Sequence, residues 1–143
     1  MRNFVLTAVS MIALTGCEVG IGTYPSPQSH YHGSPQIVNT FTYCAYDYGY
    51  ADYVWDFDAS VTHSYDSSRV AGVWVDVYEG PYLVHSENLW LEQSDPYGNM
   101  SYWSGWTAEH RTSLYCDSHI QYTIETVAFD FDGNYAFAVD YLY

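Results

Sequence analysis

From residue 38 onward the chain repeatedly alternates apolar and polar positions with a period of two. Tyr53, Trp55, Phe57, Ala59 and Val61 interleave with Val54, Asp56, Asp58, Ser60 and Thr62, which predicts a strand with one apolar and one mainly polar face. Val73, Val75 and Val77 interleave with Trp74, Asp76 and Tyr78 in the same way. Later, Ile120, Tyr122 and Ile124 hold one parity and Val127, Phe129 and Phe131 the other. A switch of the inward face near Thr126, through a β-bulge or strand crossing, is therefore expected. The intervening segments carry turn chemistry: Asp66-Ser67-Ser68, Glu79-Gly80-Pro81, Asp95-Pro96-Tyr97-Gly98-Asn99 and Asp132-Gly133-Asn134, the last being the strongest hairpin signal. No stretch keeps helical periodicity. Strands are expected near 38–46, 52–63, 70–79, 82–92, 100–107, 112–116, 119–131 and 135–142, about eight in number, at spacings typical of a sandwich or barrel.

Composition supports this all-β reading, because aromatics make up 20% of the 143 residues and Tyr alone occurs 17 times, a bias that suits pleated surfaces. The N-terminal part reads differently. Met1-Arg2-Asn3 carries one positive charge and 4–14 is a short apolar run, too short for a spanning helix and of signal-peptide length. It ends in Leu14-Thr15-Gly16-Cys17, which resembles the lipobox of bacterial lipoproteins. That resemblance implies cleavage before Cys17, a diacylglyceryl group on its sulfur and usually an acyl chain on its new amine. Several acyl chains, at about 0.8 kcal/mol per buried methylene, make a stable anchor. In the enteric version of the family an Asp after the Cys means inner-membrane retention. Here that position is Glu18, so the expected location is the cell envelope, lipid-anchored in the outer rather than the inner membrane.

The domain boundaries follow: 1–16 a signal peptide, 17–36 a Gly/Ser/Pro-rich tether broken by Pro25, Pro27 and Pro35, and 37–143 a single β-sandwich domain. His30 and His32 lie in that tether without fixed geometry, and no metal or other cofactor is expected from them.

Seventeen acidic residues face three arginines and no lysine, for a net charge of −14. Such a field repels phosphate backbones, which excludes nucleic acid as a partner, and favours cations and basic proteins. Cys44 and Cys116, an isolated pair on β-rich segments in an oxidising compartment, are expected to form a disulfide. Closing a loop of about 70 residues is worth roughly 4 kcal/mol.

Cys44, Trp55 and Cys116 together resemble the immunoglobulin pattern of a buried Trp against an inter-sheet disulfide. The run 127–134 is similar to the closing hairpin of bacterial immunoglobulin-like and fibronectin-type modules. The family's Tyr two residues before the second Cys is replaced by Leu114. The resemblance implies a two-sheet antiparallel β-sandwich with one disulfide.

No G-x-S-x-G, P-loop or H-E-x-x-H is present. The run 130–134 fails as a calcium loop, because Gly133 directly follows the second Asp and Val139 stands where the Glu ligand belongs. If the valines of 73–77 point inward, Trp74, Asp76 and Tyr78 share the outer face. With Trp90, Trp103 and Trp106 they form a candidate ligand-binding platform, since flat rings stack on sugars while acidic neighbours accept hydroxyl hydrogen bonds. The expected function is a non-enzymatic, membrane-anchored envelope lipoprotein, a binding or structural module whose partner is a glycan or a basic envelope protein. The alternative is an envelope glycan hydrolase using paired carboxylates.

Overall fold

The computed structural model describes residues 33–95, 98–116 and 119–142. The alternating runs form seven strands: β1 (Pro35–Asp47), β2 (Asp52–His63), β3 (Val70–Glu79), β4 (Tyr82–Ser94), β5 (Met100–Ala108), β6 (Tyr122–Asp130) and β7 (Tyr135–Leu142). All pairings are antiparallel, in the order β1-β2-β5-β4-β3-β6-β7. The meander β3-β4-β5 therefore has β2 docked beside β5 and β6 docked beside β3, two Greek keys sharing one meander.

The expected pair of separate sheets is corrected to one curled sheet. β4 runs unbroken for 13 residues, pairing with β3 from Tyr82 to Leu89 and with β5 from Trp90 to Ser94, so a single strand carries the sheet around the corner. The edge strands then approach each other, and Thr40 Oγ1 on β1 donates to the Asp140 carboxylate on β7. The result is a nearly closed, barrel-like sheet.

Two further expectations are corrected. The segment 112–116 is not a strand: Thr112 Oγ1 bonds the Glu109 carbonyl and accepts from Leu114 N–H, and Tyr115 N–H donates to the Tyr122 hydroxyl at 3.0 Å. Side chains thus take the backbone groups that a ladder would need. Nor does β6 switch its inward face. Tyr122, Ile124, Thr126, Ala128 and Asp130 all point inward, and the β3–β6 register runs without a bulge from Gly72 to Glu79. Small and polar inward residues concealed a constant parity.

Inside the barrel, Phe57 and Val61 of β2, the four valines of β3, Leu89 of β4, Trp103 of β5 and Ile124 of β6 form one core. Each such side chain contributes on the order of 1.5–3 kcal/mol by leaving water. At one end Trp55 lies edge-on to Tyr122, 5.6 Å between ring centres, and directly opposite Cys44 on β1. Cys44 is bonded to Cys116, with Cα atoms 5.9 Å apart, which pins the β5–β6 crossover to β1. At the other end sits a buried polar pair. His63 Nε2 donates to Asp130 Oδ2 at 3.3 Å, both side chains fully enclosed. The other oxygen of Asp130 accepts the backbone N–H groups of Asp132 and Asn134 at 2.9 and 2.8 Å. The same carboxylate therefore ties the barrel end to the β6–β7 turn, where Gly133 takes φ +84°, the left-handed region that glycine adopts without strain.

Candidate functional site

Strand parity decides which aromatic side chains reach the surface. On β5, Ser101, Trp103, Gly105 and Thr107 point inward, leaving Tyr102, Ser104 and Trp106 outside. Trp103 is therefore removed from the expected platform: it is 8% exposed and its Nε1 donates to Ser101 Oγ at 2.8 Å. Trp74, Asp76 and Tyr78 do share the outer face of β3, but Trp74 is half-buried. Its Nε1 donates to Asp76 at 3.2 Å and its ring packs on Phe129, 5.4 Å away. Phe129 reaches that position because the residue opposite it is Gly72, where any Cβ would fall 2.6 Å from the Phe129 ring. Burial raises the Tyr78 hydroxyl above its ordinary pKa, with Asp76 and Glu125 adding to the effect. Trp90 is 42% exposed, and its Nε1 donates to Glu92 two residues on.

The outer face extends further than the expected residues. Register places Phe41 opposite Asp58, Asp58 opposite Ser104, and Ser104 opposite Trp90. One step along the strands, Tyr43 lies opposite Asp56 and Asp56 opposite Trp106. Phe41 and Tyr43 pack 5.3 Å apart, and the Tyr43 hydroxyl donates to Asp56. Trp106 in turn meets Tyr50 at 5.0 Å, continuing the surface onto the β1–β2 turn, whose Tyr48 is 91% exposed. Aspartates 56 and 58 thus stand between two ring-bearing walls. Burial pushes the Asp56 carboxyl above the usual range, against the Tyr43 hydrogen bond, and the charges of Asp58 and Asp47 push the same way.

Phe41, Tyr43, Tyr48 and Tyr50 were not among the sequence candidates. Their signal was present: Phe41 and Tyr43 alternate with Thr40, Thr42 and Cys44. Two buried threonines, both facing the barrel interior, hid the apolar parity that would have revealed them.

The cluster His63–Asp130 with Ser67 nearby in sequence has the residue types of a hydrolytic triad, but the geometry uses them otherwise. His63 Nδ1 accepts the Tyr65 N–H at 3.3 Å while Nε2 donates to Asp130, so neither ring nitrogen is left to take a serine proton. Ser67 Oγ instead bonds Ser94 Oγ at 2.6 Å. Asp56 and Asp58 lie side by side on one strand, whereas paired-carboxylate hydrolysis places its acids on opposite sides of the scissile bond. Among the described residues no group of three or more His, Cys, Asp or Glu is arranged to hold a metal. Cys17, His30 and His32 lie outside the described residues. No family model, curated protein or solved structure matches the chain.

Proposed function

We propose that this chain is a non-enzymatic lipoprotein of the cell envelope, held to the membrane by lipid on Cys17, whose barrel-like domain is a carbohydrate-binding module. The observation that carries the binding reading is the continuous aromatic surface across β1, β2, β5 and β4, on which Phe41, Tyr43, Trp106 and Trp90 frame two carboxylates. Ring faces stack on the apolar faces of sugars and the neighbouring oxygens accept their hydroxyl protons. The anchor rests on the order of charge, apolar run, small residues and cysteine at the N-terminus. Outer-membrane placement rests on Glu18 in the position after the cysteine.

A glycan array probed with wild type, Trp90→Ala and Trp106→Ala tests the binding reading. Retention should survive moderate salt, and removal of one stacking ring should cost on the order of 1–3 kcal/mol. Equal retention by all three proteins, or none by wild type, overturns it. Metabolic labelling with a fatty-acid analogue tests the anchor: wild type should take the label and Cys17→Ser should not.

A further inference from the structure

Among the described residues, the two aspartates at the centre of the aromatic face have no basic partner. Of the three basic residues in the chain, all arginines, Arg69 is paired with Asp132 and Arg111 Nε donates to His110, while Arg2 precedes the domain. Asp56 and Asp58 are two residues apart on the same side of β2, about 7 Å along the strand; rings on both neighbouring strands flank the half-buried Asp56, and the exposed Asp58 stands beside Phe41. A sugar hydroxyl donates a hydrogen bond to such a carboxylate but leaves the two negative charges repelling each other. An ammonium group neutralises one of them, and it is also attracted to the faces of Trp and Tyr. The net charge of −14 further concentrates cations at this surface.

We propose that the face formed by Phe41, Tyr43, Asp56, Asp58, Trp90 and Trp106 selects an amino-saccharide, a glycan whose rings carry free, protonated amines. The proposal rests on the carbohydrate-binding reading and narrows it. An amino sugar offers a stacking face and an ammonium on a single residue, which matches carboxylates set between ring-bearing strands. An N-acetylated sugar of the same length offers the face without the charge.

The experiment is calorimetric titration of the wild-type domain with glucosamine oligomers and with N-acetylglucosamine oligomers of equal length, at about pH 6, where aliphatic amines are protonated. The free-amine oligomer should bind at least about tenfold more tightly. That advantage should shrink as salt rises from about 20 to about 200 mM. It should disappear in Asp56→Asn/Asp58→Asn, whereas Trp106→Ala should weaken both oligomers. Equal binding of the two by wild type overturns amine selection and leaves the carbohydrate reading standing. Binding of neither overturns both. Binding of a Lys/Arg-rich peptide with no response to either oligomer overturns both in favour of a protein partner. The wild-type comparison alone decides the proposal should the double variant fail to fold.

Discussion

Replacing Asp130 by Ala should remove a larger share of the domain's stability than any other single polar substitution. The carboxylate accepts from Asp132 N–H, Asn134 N–H, Asn134 Nδ2 and His63 Nε2, at 2.9, 2.8, 2.9 and 3.3 Å. Burial by itself pushes this carboxyl up, but the hydrogen bonds from Asn134, then His63 and Asp132, outweigh burial and hold it below the ordinary range. Truncation leaves those donors without an acceptor inside the barrel end. Leaving buried donors without an acceptor costs about 1–3 kcal/mol per group, against a total of about 5–15 kcal/mol for a domain. Asp130→Asn keeps the shape but turns an NH2 group toward one set of donors, so it should lose a substantial part of the same amount. Urea unfolding of the three proteins measures this as a lower midpoint at unchanged slope.

The sign of the pH dependence follows from the depressed carboxyl. The contribution is fully present above the unfolded value of about 4 and is lost as pH falls through the lower folded value. The acid side of the stability profile should therefore be shallower in Asp130→Ala than in wild type. A loss under about 1 kcal/mol, or an unaltered acid limb, would refute the assignment of this pair as the fastening of the barrel end.

Two other perturbations test the remaining parts of the fold. The Cys44–Cys116 bond closes a separation of 72 residues, so Cys44→Ala/Cys116→Ala should lose about 4 kcal/mol in chemical denaturation, and a loss near zero would mean that the crossover is held by packing alone. His85 stacks on Phe57 at 6.1 Å inside the sheet, and burial lowers its pKa against the opposing pull of Glu87. Its stabilising contribution is present above the unfolded value of about 6.5 and declines as pH falls from there toward the folded value. His85→Gln should flatten that slope, and a slope of wild-type steepness would remove His85 as its source.

The strands were legible wherever apolar residues of one parity alternated with polar ones, as in β2 and β3. They were misread where the inward residue is not apolar. Thr126, Ala128 and Asp130 face the interior of β6, while Val127 and Phe129 on the outer side are covered by Trp74, to which Val127 stands opposite. Hydrophobicity there marks a ring cluster on the outside. The same reversal hid Phe41 and Tyr43 on β1. Sheet number was also illegible, because it depends on β4 pairing with two different strands along its length, a register fact rather than a pattern. The disulfide and its neighbouring Trp55 were legible as residues. The strand order around them was not legible: Trp55 lies opposite Cys44 on the adjacent strand, and Cys116 sits in the β5–β6 crossover.

That division between inside and outside determines which substitutions report on binding. Trp103 fills the core and Trp74 braces Phe129 across Gly72, so shortening either changes the barrel as well as any surface it borders. Trp90 and Trp106 differ, because their strands are already fixed by inward neighbours: Leu89 beside the first, Gly105 and Thr107 beside the second. An outward ring on such a strand adds little to the core, and its removal should cost at most about 1 kcal/mol in stability through lost cross-strand contact. A binding loss of 1–3 kcal/mol from Trp90→Ala or Trp106→Ala, with the unfolding midpoint nearly unchanged, would therefore report contact with the ligand itself. The same loss from Trp74→Ala would not, since the Phe129 side chain and the outer surface of β6 would move with it.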